Sequence, residues 1–374
     1  MPSLADIPTP RVVVDRARLT ANIAAMQSLA ASAGVRLRPH AKTHKSPIVA
    51  RMQIAAGAVG ICCAKLGEAE VFAEAGIADI RVPYPVQSSN ADRVLALMAR
   101  TRLSIIVDDL EVATAWSEAM VAAGRELDVL VKIDVGFHRC GVNPDAPKAV
   151  ETIRAIAALR SLRFQGLLSH AGQGYGAGSA EELEAVAERE ARILGRIASE
   201  LRGAGRPVAE VSVGATPTAR FIGRQQGVTE MRPGNYVFFD RTQIGLGAAR
   251  LDDCALSVVA TVVSRPTPGR VVFDAGSKML SSDALRGFGH PVGHGLVYPS
   301  LDALEPDASI VIERLSEEHG VARIPPGAPL RPGDRVRIVP NHSCVVTNLA
   351  DELLLADGLD VVDRLPVAAR GRSA

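Results

Sequence analysis

Short apolar runs alternate with alanine-rich stretches over the first two thirds of this chain, and no other feature limits its possible folds as strongly. Short runs rich in branched side chains indicate strands, whereas longer stretches with apolar residues every three or four positions indicate helices. Strands are predicted at 35–41, 60–64, 79–83, 103–108, 128–134, 162–169 and 210–214, with a weaker eighth at 229–233. Helices are predicted at 19–33, 46–56, 66–75, 91–99, 110–123, 146–159 and 180–203.

Eight strands separated by helices are the count of a (β/α)8 barrel of the TIM type, in which parallel strands close into a cylinder. The rival α/β arrangement is an open, doubly wound sheet, which usually carries a glycine-rich turn after its first strand. No such turn follows residues 35–41. The sequence therefore favours the barrel within the α/β class.

After residue 245 the pattern changes to strands without long helices. Strands are predicted at 256–264, 270–274, 309–314, 335–340, 351–355 and 359–365, and proline and glycine turns separate them. A chain of 374 residues also exceeds the size at which a single hydrophobic core usually stops growing. We therefore expect two domains, the barrel over 1–245 and a mainly β domain over 246–374.

The charge balance argues against partners with strongly charged surfaces. The chain has 42 basic and 41 acidic residues, a formal net charge of +1, and no basic run. We expect neither a nucleic acid nor a membrane as partner. No apolar stretch reaches the ~18–20 residues of a membrane span. Five cysteines at irregular positions offer no disulfide framework, so a cytoplasmic protein is expected.

Lysine is rare in this chain, which makes each one worth inspecting. The six lysines stand at 42, 45, 65, 132, 148 and 278. Lys42 follows the first predicted strand, on the same face as Arg38 and His40 if the strand continues. Barrel enzymes keep their active sites at this carboxyl end, and a Schiff base needs a primary amine that can lose its proton. A solvated cluster at a strand end would explain the same residues.

A second candidate site is the segment 340–344, which contains His342 and Cys344. On an extended segment, residues two apart point the same way, so the imidazole and the thiol would lie together. This donor pair suits zinc, and two protein ligands leave coordination positions open for water or substrate. Ordinary packing is the alternative explanation.

The remaining candidates follow the later barrel strands. Loops after strands seven and eight of such barrels commonly bind a phosphate through backbone N–H groups. Gly214, Thr216, Gly234 and Tyr236 suit that use, although turn geometry alone also favours glycine, proline and threonine. Arg139 follows the fifth strand and would lie at the same rim.

Taken together, these segments resemble the alanine racemase-like pyridoxal-phosphate (PLP) enzymes of fold type III, and within them the branch of D-threonine aldolase and D-serine dehydratase. The matching segments run in family order over nearly the whole chain. They are RPHAKTHK at 38–45, GICCAKLGEAE at 60–70, IDVGFHRCGV at 133–142, 170–175, VSVGATPT at 211–218, 274–276, EEHG at 317–320 and PNHSC at 340–344.

The resemblance implies PLP bound to Lys42 as a Schiff base, and we add His40 to the catalytic set because it shares the strand face of Lys42. It implies a phosphate held by the two loops at 214–216 and 234–236, which include Asn235. Arg139 would lie near the pyridine ring, and His170 and Tyr175 would line the pocket. A divalent metal would bind His342 and Cys344 close to the substrate's β-hydroxyl, with zinc expected and manganese or magnesium as alternatives. The family acts on D-amino acids and commonly forms dimers, so a D-amino acid substrate and a homodimer are expected.

The resemblance to dehydratases rests on two departures from the aldolase pattern. Aldolases of the family usually carry an aspartate two residues after the metal-binding histidine and a Gly-Gly-Gly-Thr-Gly type phosphate loop. Here Cys344 and the sequence VGATPT stand in those places. We expect a lyase of the D-serine or D-threo-3-hydroxyaspartate dehydratase type, which gives a 2-oxo acid and ammonia. Retro-aldol cleavage to glycine and an aldehyde, racemisation and a non-catalytic PLP carrier are the alternatives, and the second domain argues against the last.

Overall fold

A computed structural model describes residues 2–288 and 292–374 of the chain. The chain divides into two compact units. The barrel unit comprises Met26–Lys42, Ala50–Gly234 and Gly371–Ala374, and the β unit comprises the chain up to Ala25, Thr43–Val49 and Asn235–Arg370. The expected domain boundary after residue 245 stays a prediction.

In chain order, the strands are β1 (Arg11–Asp15), β2 (Arg36–Leu37), β3 (Ile61–Cys62), β4 (Asp79–Pro85), β5 (Arg102–Val107), β6 (Leu127–Lys132), β7 (Leu162–Leu168), β8 (Glu210–Val213), β9 (Glu230–Met231), β10 (Leu256–Thr267), β11 (Arg270–Phe273), β12 (Leu296–Tyr298), β13 (Val311–Leu315), β14 (Gly320–Arg323), β15 (Arg335–Val339), β16 (Glu352–Asp357) and β17 (Asp360–Pro366). The helices are α1 (Arg16–Ser32), α2 (Pro47–Ala55), α3 (Leu66–Glu74), α4 (Ala91–Met98), α5 (Leu110–Ala122), α6 (Ala149–Ala157), α7 (Ala180–Gly203), α8 (Arg241–Gly245), α9 (Ser277–Leu280) and α10 (Ser343–Leu349).

The barrel unit is built on one parallel sheet of eight strands. Its order is β2-β9-β8-β7-β6-β5-β4-β3, so strands that follow one another in the chain are mostly neighbours. The two ends of this order meet, since His40 forms a parallel bridge with Cys62 and the Cys62 N–H donates to the Pro39 carbonyl at 2.7 Å. The predicted barrel, followed by a separate mainly β region, is confirmed.

Buried charges of both signs fill the middle of this barrel. Glu230 accepts hydrogen bonds from Arg38 at 2.9 Å, from the Ser212 hydroxyl at 2.6 Å and from Arg81, which also contacts Glu210 at 2.7 Å. Burial would raise the pKa of Glu230, but the charges of Arg81 and Arg38 lower it to about 2. Arg38 is therefore neutralised inside the barrel and its charge is not free to act on Lys42.

Helix α7 illustrates how a polar residue enters the core. The helix begins after Ser179, whose hydroxyl accepts a hydrogen bond from the Glu182 N–H at 3.2 Å and so caps the first turn. Leu183, Ala187 and Glu190 recur on one buried face at helical spacing. This spacing places the Glu190 carboxyl among apolar neighbours, where it needs a polar partner.

The β unit is a mainly antiparallel sheet. Its principal order is β13-β14-β11-β10-β1-β16-β17, and β15 pairs with both β10 and β12. Strand β1 pairs antiparallel with β10 and parallel with β16, and its Val13 packs in a buried apolar cluster with Val259 and Leu354. Strands β1, β12 and β14 are missing from the predicted set, and each has only three to five residues.

Among the residues that the structure describes, none of the helices combines the length and the apolar character that crossing a bilayer requires.

Candidate cofactor and metal sites

Lys42 lies at the carboxyl end of β2, in a short 3-10 turn that spans Ala41–Thr43. Its side chain is exposed, whereas its neighbours Ala41 and Thr43 are fully buried. The Lys42 N–H reaches His40 Nδ1 at 3.4 Å, a long hydrogen bond. The strand thus ends before Lys42, and a buried turn presents a reachable primary amine at the mouth of the barrel.

His170 follows β7 and is held as a neutral imidazole. Its Nδ1 lies 2.7 Å from the Gly214 carbonyl oxygen, which can only accept, so Nδ1 carries the proton and Nε2 keeps its lone pair. Burial, followed by the charges of Lys132, Lys42 and Arg139, lowers the pKa of His170 well below its usual value. His170 is therefore an uncharged group surrounded by cations that include Lys42.

Two further cations lie inside the same end of the barrel. Lys132 ends β6 and is buried, and this burial together with the charge of Arg232 lowers the pKa of Lys132 to about 7. Arg232 follows β9 and donates to the Ser212 hydroxyl and the Ser169 carbonyl. The sequence signal for both is a basic residue at the end of a strand, and neither was predicted.

The carboxylate that accompanies these cations comes from α7. Glu190 is fully buried, and its Oε1 accepts a hydrogen bond from the Ser169 hydroxyl at 2.5 Å. Burial raises the pKa of Glu190, and the charges of Arg232 and Lys132 oppose this shift. Glu190 was not predicted, because from the sequence it is one of many glutamates on a long polar helix.

The loops after β8 and β9 contact each other through predicted residues. The Gly234 N–H donates to the Thr216 hydroxyl at 3.2 Å. A Cβ on Gly214 would lie 3.1 Å from Arg232 Cβ and 3.2 Å from the Arg232 carbonyl oxygen, so the backbones approach closely there. Close approach at glycine and a nearby arginine are what a phosphate cradle needs.

Arg139 and Tyr175 lie on loops of the same barrel end. Arg139 is exposed, and its guanidinium carbon lies 4.8 Å from the centroid of the Phe137 ring. Tyr175 belongs to the 3-10 turn Gly172–Gly176, whose Gln173 donates to the Val135 carbonyl at 2.9 Å. Both residues are positioned by contacts between the loops after β6 and β7.

In the β unit, the structure brings His342 and Cys344 together, but not on an extended segment. His342 is the N-cap of α10 and Cys344 lies in its first turn, so the expected extended conformation of this segment is wrong. Their side chains are hydrogen-bonded to each other. Burial would raise the pKa of Cys344, but the charge and hydrogen bond of His342 lower it overall. The cluster favours the thiolate, the form in which cysteine binds metals.

Several polar groups surround this pair. The hydroxyl of Thr43, the residue after Lys42, lies 3.2 Å from Cys344 Sγ. Buried Asp240 accepts from the Ser343 N–H at 2.9 Å and from the Asn235 amide at 2.6 Å. Asn235 also donates to Cys344 Sγ at 3.6 Å. The Asn235 amide nitrogen is thus occupied within the cluster, and the expected phosphate contact of residues 235 and 236 stays a prediction.

The chemistry of these donors fits a divalent metal of the zinc type. A thiolate and an imidazole are typical zinc ligands, and the imidazole Nδ1 is hydrogen-bonded to Asp283 at 2.7 Å, as ligating histidines usually are to a carboxylate. Within residues 2–288 and 292–374, no group of three or more histidine, cysteine, aspartate or glutamate side chains is arranged to hold a metal. A metal on this pair would therefore keep open coordination positions.

Both parts of the chain resemble known proteins. Residues 14–242 match the family model for the alanine racemase N-terminal domain, and residues 255–356 match that for a putative serine dehydratase domain. The chain is 38% identical over 376 residues to the D-threo-3-hydroxyaspartate dehydratase of Delftia sp. (strain HT23), covering 95% of this chain and 96% of that protein. It is 36% identical over 381 residues to the D-threonine aldolase of Arthrobacter sp, covering 99% and 94%.

Among solved structures, a metal-free, cysteine-to-alanine variant of D-threo-3-hydroxyaspartate dehydratase superposes with a TM-score of 0.92. The two sequences are 35% identical, and the match covers 98% of this chain and 99% of that one.

Proposed function

We propose a function from one premise: the chain belongs to the alanine racemase-like family of fold type III that includes D-threo-3-hydroxyaspartate dehydratase and D-threonine aldolase. It is a lyase of D-3-hydroxy amino acids, and its fold implies PLP as cofactor. More specifically, we propose that it dehydrates the substrate to a 2-oxo acid and ammonia. The observation that carries this proposal is the Cys344–His342 pair, since a cysteine occupies the place where aldolases of the family usually have a carboxylate.

Lys42 is the proposed attachment and base residue. Bound PLP withdraws electrons from the substrate Cα and so acidifies its proton. The Lys42 amine, when it is not bonded to the cofactor, would be free to take that proton. His40 accepts from the Lys42 N–H and holds the turn in place. The exposure of Lys42 beside buried neighbours supports both roles, because only its side chain can reach the solvent.

The barrel rim is the proposed phosphate and ring site. Gly214, Thr216 and Gly234 offer backbone and hydroxyl groups from two loops in contact. The basic residues Lys132, Arg139 and Arg232 lie near one another there, so an anionic cofactor would be stabilised. Neutral His170 can accept a hydrogen bond through Nε2 without adding charge, and we assign it and Tyr175 to the pocket wall.

The proposed metal site is Cys344 Sγ together with His342. A zinc ion there would act as a Lewis acid on the substrate's β-oxygen. Asp283 accepts a hydrogen bond from the His342 imidazole, and Asp240 accepts one from the Ser343 N–H. The side chains of Thr43 and Asn235 contact the Cys344 thiol.

Retro-aldol cleavage is the second candidate, favoured by the 36% identity to a D-threonine aldolase. Both reactions start from the same bound substrate and differ in the bond that breaks. In dehydration the Cα–H bond and then the Cβ–O bond break, whereas in retro-aldol cleavage the Cα–Cβ bond breaks. A homodimer and a cytoplasmic location, which the family resemblance and the composition suggest, are part of the same proposal.

Product analysis separates the candidates. The holoenzyme is incubated with D-serine, D-threonine and D-threo-3-hydroxyaspartate, with and without a metal chelator, and with the L-enantiomers as controls. We expect ammonia and a 2-oxo acid from at least one D-substrate, and loss of this product with chelator. Glycine plus an aldehyde would establish the aldolase reaction instead, the L-enantiomer would indicate a racemase, and no turnover would indicate a carrier.

A further inference from the structure

We infer that Asp283 is a positioning residue of the metal site: its carboxylate fixes the tautomer and orientation of His342 and thereby strengthens metal binding. The inference rests on the proposed function, because it requires that His342 and Cys344 bind a metal. It adds a residue that is distant in sequence and that no motif of the chain indicated.

The contact between the two side chains selects one form of the imidazole. His342 Nδ1 lies 2.7 Å from Asp283 Oδ2, the distance of a strong, charge-assisted hydrogen bond. An ionised carboxylate can only accept, so Nδ1 must carry the proton. The lone pair of the neutral ring is then on Nε2, and a metal at this nitrogen would take the place of the hydrogen bond to Cys344.

The loop that carries Asp283 is tied to the residue beside His342. The Asp283 N–H donates to the Ser281 hydroxyl at 3.0 Å, and the Asp283 carbonyl accepts from the Asn341 amide at 3.4 Å. Asn341 is buried and also donates to the Gly293 carbonyl at 3.0 Å, and Arg241 donates to its Oδ1 at 3.4 Å. The backbone of Asp283 is thus hydrogen-bonded to Asn341, and its side chain to His342. These two contacts hold Asp283 in place more firmly than a single surface ion pair would.

Asp283 acts through His342 and not as a third ligand. Its Oδ2 is occupied by the imidazole, and the described residues contain no group of three such side chains placed for a metal. The two side chains are partly exposed, at 48% for Asp283 and 38% for His342, so water competes for the contact. Its removal should therefore weaken metal binding without abolishing it. Comparable carboxylate partners of ligating histidines contribute roughly 10- to 100-fold to metal affinity.

Zinc affinity measured against a competing chelator dye tests the inference directly. We compare the PLP-loaded wild-type protein with Asp283→Asn, Asp283→Ala and His342→Ala. Asp302→Asn is the control, because Asp302 is an exposed carboxylate of the same unit that accepts from the Ser300 hydroxyl. We expect about tenfold weaker binding for Asp283→Asn, whose amide oxygen can still accept from Nδ1, and up to about 100-fold weaker binding for Asp283→Ala. The zinc affinity of Asp302→Asn should equal that of the wild type, and His342→Ala should show the largest loss of zinc affinity.

The variants distinguish failure of the inference about Asp283 from failure of the metal proposal. If both Asp283 variants keep wild-type affinity while His342→Ala loses it, Asp283 has no positioning role but the metal proposal stands. If His342→Ala also keeps wild-type affinity, the metal proposal fails and the inference with it. Equal weakening in Asp302→Asn would attribute the effect to surface charge in general and would also overturn the inference. The nearly isosteric Asn variant keeps the test interpretable if the Ala variant unfolds.

Discussion

The barrel unit and the β unit hold charged clusters of opposite character. At this end of the barrel, the charges of Lys42, Lys132 and Arg139 act on His170, and those of Arg232 and Lys132 act on buried Glu190. In the β unit, the thiol of Cys344 and the carboxylates of Asp240 and Asp283 face the single imidazole of His342. The first cluster suits an anion such as a phosphorylated cofactor, and the second suits a cation.

This difference teaches that cofactor and metal are held by separable sets of groups. Cations and carboxylates also meet deeper in the barrel, but there they neutralise each other around Glu230. We therefore expect a substitution of a charged residue at the rim to change cofactor binding. A substitution of a charged residue in the barrel interior should change the free energy of unfolding. A substitution of a metal-binding residue in the β unit should change metal binding alone. Four substitutions examine this separation.

Lys42→Ala should have the largest effect. We expect lyase activity to fall by roughly 10³-fold or more, because both the attachment point and the base are removed. Zinc content should stay at the wild-type level, since the metal pair is intact. Lyase activity is assayed and zinc content is determined by metal analysis. Lys148→Ala is the control, because Lys148 is another exposed lysine. Joint loss of zinc and activity would contradict the separation.

Glu230→Gln tests the structural charges of the barrel. Removing one carboxylate leaves Arg38 and Arg81 buried with less compensation, at a cost of about 3–5 kcal/mol in the free energy of unfolding. The pKa of Glu230 is lowered from 4.5 to about 2, so its stabilising contribution is complete above pH 4.5 and is lost as the pH falls towards 2. The difference between wild type and variant in urea unfolding should thus shrink from pH 7 to pH 3. Glu188→Gln, at an exposed position, should show no such difference.

Cys344→Ala tests the metal site in the way that Lys42→Ala tests the cofactor site. We expect zinc affinity to fall by about 100-fold or more, beyond the loss typical of a group that only supports a ligand. The visible absorbance of bound PLP should be unchanged. Cys254→Ala is the control, because Cys254 is a buried thiol of the same unit without a metal-binding partner in the proposal. Loss of PLP along with zinc would mean that the two sites depend on each other.

Gly214→Ala should have the smallest effect. The added Cβ would lie 3.1 Å from Arg232 Cβ, so the two loops must shift by a few tenths of an ångström. We expect about tenfold weaker PLP binding, or about 1.4 kcal/mol, from titration of the apoprotein. Gly223→Ala is the matched control, since its Cβ would meet nothing within 4 Å. Equal affinities in the two variants would remove the phosphate assignment from Gly214.

The sequence predicts the barrel well because its strands and helices have distinct apolar periods. It predicts less about the side chains around the sites, because their partners are distant in the chain. Asp283 and His342 are 59 residues apart, and only His342 lies in one of the family-matching segments. The helix that starts at Ser343 was missed because its short apolar run is compatible with a strand. The sequence identifies Lys42 because the chain has only six lysines and this one directly follows a predicted strand.

Borohydride reduction of the PLP-loaded protein, followed by peptide mass spectrometry, tests the central claim most directly. Reduction makes the bond between cofactor and lysine permanent, so the modified residue can be identified. We predict a single pyridoxyl label on Lys42. A label on Lys132, the buried lysine whose pKa is lowered to about 7, or the absence of any labelled lysine would contradict the account.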